Sequence, residues 1–211
     1  MTARGRLLAL EGIDGCGKST QAAALARALG ARLTHEPGAT ELGMSLRQLL
    51  LAPDAPAITL RAEALLMAAD RAEHVDRLVE PLLAAGEWVV SDRFSGSTLA
   101  YQGYGRGLAL PDLERLVAFA TGGLGPDLSI LVDVTVEVAA ARLAQSAPDR
   151  LEKLGPSFAQ RVRDGFLAQA AADPEHWLVV DGTSDPLSLS TRIVDVVRGR
   201  FGDPGRGEPT P

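Results

Sequence analysis

The chain has 211 residues, of which 46% are hydrophobic, and a formal net charge of −6. This size and composition predict one globular domain and leave little room for two. The acidic balance argues against a protein that coats nucleic acid, because nonspecific binding needs a surplus of Lys and Arg to displace counterions. Apolar runs such as 88–90 and 130–132 are far shorter than the roughly 20 residues that span a bilayer. We therefore expect neither a nucleic-acid partner nor a membrane partner.

Cysteine usage and the N-terminus bear on the compartment. The single cysteine, Cys16, cannot form an intramolecular disulfide. The N-terminus has neither the charged segment nor the long apolar segment of a signal peptide. We therefore expect a cytoplasmic location.

The predicted elements alternate between short strands and helices. Arg6 to Glu11 carries an apolar run and leads into a glycine loop, Gln21 to Leu29 is rich in helix formers, and Gly30 supplies a stop signal. The elements predicted after them are a strand near Arg32 to Thr34, helices at Glu41 to Leu51 and Leu60 to Ala85, and strands at Trp88 to Ser91, Ser129 to Asp133 and Trp177 to Asp181. Such alternation predicts an α/β fold in which a parallel five-stranded sheet is covered by helices on both faces. We expect one domain over residues 1–201 and a disordered, Gly- and Pro-rich tail at 202–211.

The segment from Gly12 to Ser19 satisfies the pattern G-x-x-x-x-G-K-[ST] and lies between a predicted strand and a predicted helix. In such a loop, backbone N–H groups bind phosphate oxygens, Lys18 approaches the β and γ phosphates, and the Ser19 hydroxyl joins the Mg²⁺ shell. The loop therefore predicts a P-loop NTPase-type sheet, with ATP as the phosphoryl donor and Mg²⁺ as the cofactor. The predicted ATP-binding residues are Gly12, Ile13, Asp14, Gly15, Cys16, Gly17, Lys18, Ser19 and Thr20. We expect Cys16 to be a small filler residue, since the backbone does the binding.

A P-loop alone does not separate a kinase from a GTPase switch or a mechanical ATPase. The chain has no Asn-Lys-x-Asp segment for guanine recognition. Asp92 and Arg93 directly follow a predicted strand, and ligands gather beyond the carboxyl ends of parallel strands. Charged residues at such a place suggest a site.

With these residues in view, the sequence resembles the thymidylate kinase family from Leu8 to about Val197. The segments that carry the resemblance are Glu11 to Gln21, Thr34 to Thr40, Ala68 to His74, Ser91 to Phe94, Ser97 to Gly103, Pro126 to Asp133 and Asp149 to Glu152. Each segment alone is weakly specific, whereas their order and spacing together are specific. The resemblance implies a phosphotransferase that moves the γ-phosphoryl group of ATP to dTMP, giving dTDP and ADP, and that forms a homodimer.

The resemblance also implies which residues carry out the transfer. Arg93 and Arg47 would bind the dTMP phosphate, for which a planar guanidinium is well suited. Asp92, with Ser19, would hold Mg²⁺, partly through water. The residues expected to be catalytic are Lys18, Asp92, Arg93 and Arg150.

For the base and the sugar, the resemblance implies separate contacts. Arg71 would hydrogen-bond the thymine edge, and Tyr101 would pack beneath the sugar and leave no room for a 2′-hydroxyl. Asp14 would accept a hydrogen bond from the 3′-hydroxyl. The residues expected to bind dTMP are Asp14, Glu36, Pro37, Arg47, Met67, Arg71, Arg93, Ser97, Thr98, Tyr101 and Gln102.

One family type carries an arginine inside the P-loop, but Gly15 follows Asp14 here and cannot supply the charge. The resemblance therefore points to the other type, in which a mobile lid supplies the arginine. Arg150 is the candidate, within a short lid at about residues 142–156. Ser, Pro and Asp residues between Gln145 and Asp149 are typical of a hinged segment.

Two residues depart from the family pattern. His35 replaces the usual arginine, which removes a permanent charge near the acceptor. Met67 replaces a phenylalanine that stacks on thymine, and a thioether packs on a ring less rigidly. We therefore predict weaker base binding. His74 and His176 lack the ligand arrangement of a zinc site, and we interpret them as structural.

Several alternatives remain open at the level of sequence. Another nucleoside monophosphate kinase or a deoxynucleoside kinase would share the fold, and a P-loop switch would share the loop. Arg47, Arg71 and Arg150 have an alternative reading as solvated charges, and Tyr101 as core packing. The helix at Leu60 to Ala85 is apolar on more than one side, which favours either a dimer face or cover by neighbouring helices.

Overall fold

The computed structural model describes residues 3–52, 54–144 and 149–204. Five parallel strands form one sheet in the order β2-β3-β1-β4-β5. The strands are β1 at Leu7–Glu11, β2 at Arg32–His35, β3 at Val89–Asp92, β4 at Leu128–Asp133 and β5 at Trp177–Asp181. Since β1 is central and its two neighbours come later in the chain, a crevice opens at its carboxyl end. The P-loop begins there.

Helices connect the strands. In chain order they are α1 at Lys18–Leu29, α2 at Glu41–Leu51, α3 at Leu60–His74, α4 at Glu80–Ala84, α5 at Ser95–Thr98, α6 at Leu110–Thr121, α7 at Val136–Leu143, α8 at Pro156–Ala172 and α9 at Pro186–Phe201. Their ends follow local chemistry. Thr40 caps α2 by accepting the Gly43 N–H at 3.0 Å, and Gly30 ends α1 in a left-handed conformation.

Helices cover both faces of the sheet, as the sequence predicts. Alternate side chains of β1 point to opposite faces. Leu8 and Leu10 belong to a large apolar cluster with residues of α1, α8 and α9. Leu7 and Ala9 belong to a second cluster, with residues of the helical segment 75–84. The predicted fold class is confirmed.

Two helices differ in detail from the sequence prediction. α1 begins at Lys18, one turn earlier than the predicted Gln21, so the last two P-loop residues belong to the helix. The segment predicted as one helix at Leu60 to Ala85 is helical through Ala84, but a wider π turn at Val75–Val79 separates α3 from α4. Pro81 lacks the N–H that a regular helix needs, which explains why the bonding pattern changes in the preceding turn.

Two predicted segments lie partly beyond this description. Residues 145–148 of the predicted lid and 205–211 of the predicted tail fall outside the described residues. Within the described ranges, no helix is both long enough and apolar enough to cross a bilayer.

Candidate active site

The P-loop occupies the turn between β1 and α1. Gly12 and Gly15 have φ angles of 142° and 80°, which favour glycine. A Cβ on Gly12 would lie 2.7 Å from the Val132 carbonyl oxygen, and one on Gly15 would lie 2.6 Å from that of Ala139. The loop therefore keeps its shape only with glycine at both positions.

The reactive groups of the loop sit at the start of α1. The Lys18 ammonium is buried and lies 3.3 Å from Asp14 Oδ1. Ser19 and Thr20 are exposed. Burial raises the pKa of the Cys16 thiol, so the nucleophilic thiolate is disfavoured at neutral pH. That agrees with the interpretation of Cys16 as a filler residue.

Asp14 is the point where the P-loop meets the residues that follow β3. Arg93 donates a short hydrogen bond to Asp14 Oδ1, and the Tyr101 hydroxyl donates to Asp14 Oδ2 at 2.7 Å. Burial alone would raise the pKa of Asp14, but the charges of Arg93 and Lys18 and the Tyr101 hydrogen bond hold it well below its usual range. Asp14 is therefore a firmly ionised acceptor.

The backbone of Arg93 is held in an unusual conformation, with a φ of 74°. Such a conformation costs a non-glycine residue on the order of 1–3 kcal/mol and persists only where the surroundings enforce it. The Arg93 N–H donates to the Leu10 carbonyl at 2.9 Å, and the Ser91 hydroxyl donates to the Arg93 carbonyl at 2.7 Å. Its guanidinium also donates to Gly12 O at 3.0 Å. The hydrogen bonds of the guanidinium to Gly12 and Asp14 direct it toward the P-loop.

Glu11, which sequence reasoning missed as a functional residue, organises the turn after β3. Its carboxylate is fully buried and accepts hydrogen bonds from the N–H groups of Phe94 at 3.1 Å and Ser97 at 3.2 Å. The Ser97 hydroxyl donates to its other oxygen at 2.6 Å and accepts from Arg93 at 3.1 Å. Burial raises the pKa of Glu11 to about 7, against these hydrogen bonds. Its place at the end of β1, directly before the P-loop, is the signal that could have found it.

A cleft with an open volume of about 610 Å³ lies beside this cluster. Every residue predicted to bind dTMP lines it: Asp14, Glu36, Pro37, Arg47, Met67, Arg71, Arg93, Ser97, Thr98, Tyr101 and Gln102. Leu51, Asp70, Asp149 and Leu151 line it as well and were not predicted. The structure thus brings residues from five separate sequence segments, at positions 14, 36–51, 67–71, 93–102 and 149–151, to one place.

Arg71 is locked in the wall of the cleft. Its guanidinium donates to Glu36 at 2.8 Å, to the Thr98 hydroxyl at 2.7 Å and to the Phe94 carbonyl at 2.9 Å. Behind it, His74 Nδ1 lies 2.8 Å from the same Glu36 carboxylate. Both Arg71 and His74 are buried, so the alternative of Arg71 as a solvated surface charge is wrong, and His74 has a structural environment. His176, by contrast, is exposed and lies 2.9 Å from Asp173.

Arg47 and His35 determine the charge at the other end of the cleft. Arg47 donates to the Pro37 carbonyl at 2.8 Å, and it forms no salt bridge with any carboxylate in the described part of the chain. Its charge is thus available to an anion. Burial and the Arg47 charge lower the pKa of His35. His35 is therefore neutral at physiological pH and does not replace the positive charge of the family's arginine.

Asp92, at the end of β3, has a free oxygen. Its Oδ1 is buried and has no hydrogen-bond partner among the described residues. A buried carboxylate oxygen of this kind needs a partner, and a metal ion or its water would supply one. The donor set of Asp92 with the Ser19 hydroxyl suits Mg²⁺, which prefers oxygen ligands and keeps several waters.

Arg150 does not line the cleft, although its neighbours Asp149 and Leu151 do. Its guanidinium donates to the Leu50 carbonyl at 2.6 Å and to Glu63 at 2.7 Å. The alternative of an ordinary solvated arginine is wrong, since two partners hold it. A role at the moving phosphoryl group stays a prediction and requires Arg150 to leave Glu63.

Arg142, at the end of α7, was assigned no role from the sequence. It donates to the Cys16 carbonyl at 3.0 Å and to the Gly182 carbonyl at 2.9 Å. It therefore joins the P-loop to the turn after β5. Nothing in the local sequence pattern signals this contact, because its partners are distant along the chain.

A P-loop at the central strand, joined through a partly buried ion pair to a second cleft, is the arrangement of a P-loop nucleotide-binding protein of the kinase type. The family model described as thymidylate kinase matches residues 10–193. The chain is 50% identical over 206 residues to the thymidylate kinase of Synechococcus sp. (strain RCC307), covering 92% of this chain and 96% of that one. It is 45% identical over 205 residues to the thymidylate kinase of Carboxydothermus hydrogenoformans, covering 94% of this chain and 100% of that one.

The solved structures agree. The crystal structure of thymidylate kinase from Ehrlichia chaffeensis matches with a TM-score of 0.77 and 30% identity, covering 92% of this chain and 99% of that one. The chain therefore belongs to the thymidylate kinase family.

Asp70, on the cleft wall, makes stability depend on pH. It accepts the Gly38 N–H at 2.9 Å, but burial and the nearby Glu36 charge raise its pKa to about 6. The folded state therefore binds a proton more tightly than the unfolded state, whose aspartates titrate at about 4. Stability from this group is fully present below pH 4 and falls as the pH rises from about 4 to about 6.

Asp70→Asn keeps the acceptor oxygen for Gly38 and removes the titration. We expect the melting temperature at pH 7.5 to rise by several degrees relative to the unaltered protein, with the gain vanishing near pH 4. Asp76→Asn, which changes an exposed carboxylate further along the same helical segment, is the matched control. An Asp70→Asn gain that is equal at both pH values would contradict the assigned cause.

Proposed function

We propose that the chain transfers the γ-phosphoryl group of ATP to dTMP, giving dTDP and ADP. The observation that carries the proposal is the contact of Asp14, in the P-loop, with Arg93 and Tyr101 of the cleft, in a chain that belongs to the thymidylate kinase family. Asp14 belongs to the P-loop and also lines the cleft, where Arg93 contacts it. An ATP molecule on the loop and an acceptor in the cleft would therefore meet at this point. A cytoplasmic location, where ATP is available, is part of the proposal.

The acceptor phosphate binds between Arg93 and Arg47. The Arg93 guanidinium is held toward the P-loop by Gly12 and Asp14, and Arg47, which donates to the Pro37 carbonyl, has no carboxylate partner in the described residues that an anion would have to displace. Two guanidinium groups bind a phosphate through several charge-assisted hydrogen bonds. They place a phosphate oxygen of dTMP toward the P-loop.

The base and sugar bind along the rest of the cleft. Arg71, held by Glu36 and Thr98, presents a rigid donor to the thymine edge, and Met67 packs on the ring face. Tyr101 is only 8% exposed and its ring packs edge-on against Phe158 and Phe166. It is packed too closely to move aside for a 2′-hydroxyl, so we expect a preference for deoxyribose. Asp14, an ionised acceptor, suits the 3′-hydroxyl.

The donor phosphates bind to the P-loop and Lys18, and Ser19 with Asp92 would hold Mg²⁺. When bound, Mg²⁺ would neutralise the negative charge that develops on the phosphates. Lys18 adds a buried positive charge on the same phosphates. A dTMP phosphate oxygen attacks the γ phosphorus, the bond to the β–γ bridging oxygen breaks, and ADP leaves with the electron pair. Positioning and charge therefore carry the catalysis.

An acceptor panel tests the proposal. With ATP and Mg²⁺, we expect ADP release that depends on dTMP and is much slower with dUMP, dCMP, UMP, CMP, AMP or GMP. Preference for another monophosphate would keep the mechanism and replace the substrate. Hydrolysis that no acceptor stimulates would instead identify a P-loop switch and overturn the kinase assignment.

Met67→Phe tests the base contact. An aromatic ring stacks on thymine with more contact area and less freedom than a thioether. We expect the KM for dTMP to fall by about threefold to tenfold, as an aromatic pair is worth about 0.5–1.5 kcal/mol, with little change in kcat. An unchanged or higher KM would contradict stacking at this position.

A homodimer is also part of the proposal, formed by α3 and α6. Phe119 on α6 is 88% exposed and Leu65 on α3 is 59% exposed. These helices contact each other, so their exposed apolar side chains are near one another, and a second copy of the chain would cover them.

Phe119→Glu places a charge in that face. We expect the variant to sediment as a monomer at concentrations where the unaltered protein sediments as a dimer. Leu187→Glu is the matched control, because Leu187 is 76% exposed on α9, away from α3 and α6. A dimer that survives Phe119→Glu, or one disrupted equally by Leu187→Glu, would place the interface elsewhere.

A further inference from the structure

Glu63, on α3, is a fully buried carboxylate that does not line the cleft. Arg106 donates to it at 2.7 and 3.1 Å, Arg150 at 2.7 Å and Gln102 at 3.1 Å. Burial would raise the pKa of Glu63, but the hydrogen bonds from Arg106 and Gln102 hold it below its usual range. Glu63 is therefore ionised. A buried charge is costly unless partnered, so the identity of these partners matters.

The partners come from different parts of the site. Gln102 lies in the π turn 99–105 and lines the cleft, and Arg106 follows that turn directly. Arg150 belongs to the lid, between two residues that line the same cleft. The Glu63 carboxylate thus connects Gln102, in the wall of the acceptor cleft, to Arg150, in the predicted lid.

On the cleft side, Glu63 fixes the direction of the Gln102 amide. An ionised carboxylate only accepts hydrogen bonds, so the NH₂ end of Gln102 has to face Glu63 Oε1. The amide oxygen is then left for the cleft. A base that carries an N–H at ring position 3, such as thymine, suits this oxygen, whereas cytosine presents a lone pair there.

On the side of the predicted lid, Glu63 accepts a hydrogen bond from Arg150, which attaches this segment to α3. Besides the Glu63 contact, the Arg150 side chain donates to Leu50 O at 2.6 Å and its backbone N–H donates to Leu51 O at 3.3 Å, both at the end of α2. Asp149 Oδ1 accepts the N–H groups of Leu151 and Glu152 at 2.7 and 2.8 Å. Residues 149–152 thus form a hydrogen-bonded turn, which Arg150 attaches to the end of α2 and to Glu63.

We propose that Glu63 is a positioning residue that couples recognition of the acceptor base by Gln102 to docking of the lid by Arg150. The inference rests on the proposed function, in which the cleft takes dTMP. Coupling of this kind is reciprocal: an acceptor that engages the Gln102 oxygen stabilises the docked lid, and the docked lid keeps Gln102 oriented for that acceptor.

Glu63→Gln tests the cleft side. Arg106 and Arg150 both donate to Oε2 and keep the new amide oxygen there. The new NH₂ then faces Arg106 Nε, which loses an acceptor, and Gln102, which turns its amide around. We expect the ratio of kcat/KM for dTMP to that for dCMP to fall at least about fivefold, which corresponds to the lower bound of about 1 kcal/mol for an unpaired buried group. Glu73→Gln is the matched control on α3, because Glu73 pairs with the exposed Arg77. An unchanged ratio in a folded Glu63→Gln variant would overturn the proposal.

Arg150→Met tests the contact of the predicted lid with Glu63 by a binding measurement that needs no turnover. Because Arg150 lies outside the core helices and strands, this variant remains usable if Glu63→Gln fails to fold. We expect dTMP to slow amide hydrogen exchange in residues 149–155 of the unaltered protein. That protection should be lost in both Arg150→Met and Glu63→Gln. The double variant should lose no more of this protection than the more affected single variant loses. Full dTMP-dependent protection in Arg150→Met would overturn the proposal.

The double variant also separates the coupling from the proposed function. Suppose that the unaltered protein phosphorylates dTMP and that the fold-reductions in kcat/KM caused by the two substitutions multiply in the double variant. Arg150 then acts independently of Glu63, and the coupling alone is wrong. If the unaltered protein shows no dTMP-dependent turnover, the proposed function fails, whereas the exchange measurement still reports whether dTMP docks the lid through Glu63.

Discussion

The contact between Asp14 and Arg93 is the constraint on which the site depends. It joins the loop after β1 to the turn after β3, two strands that are neighbours in the sheet. Parallel strands bring such turns to the same edge, but the pair adds a fixed distance and direction. Arg93 contacts Asp14 from a backbone conformation that a non-glycine residue usually avoids. The fold therefore stores strain at the point where donor and acceptor would meet.

Buried carboxylates maintain that arrangement. Glu11 holds the turn after β3 through Phe94 and Ser97, and Glu36 holds Arg71 in the cleft wall. Each would be destabilising without its partners, since removing one partner of a buried pair costs about 3–5 kcal/mol. Asp70 is less well satisfied, as its raised pKa shows. The stability of the cleft wall is thus reduced at the place where we propose that the acceptor binds, a common exchange of stability for function.

The sequence could predict the P-loop and the cleft residues, because a spaced motif and a family resemblance name them directly. It could also predict the parallel sheet, from short apolar strands alternating with helices. It could not predict Glu63, whose partners Gln102 and Arg150 lie 39 and 87 positions away, since periodicity reports only local neighbours. The π turn at 99–105 was missed for a related reason: its residues are ordinary helix formers and glycines, and tertiary packing decides the wider turn.

The contacts of Arg150 bear on how a lid arginine can serve two places. Moving it to a phosphoryl group would break its bond to Glu63, which in many proteins would strand a buried charge. Here Arg106 and Gln102 remain on the same carboxylate, so the charge stays partnered and the penalty is small. At the other end of the lid, Arg142 stays attached to Cys16 and Gly182. In the proposed transfer, Arg150 would leave Glu63 while Arg142 keeps its bonds to the P-loop and to the turn after β5, and Arg106 would keep Glu63 partnered.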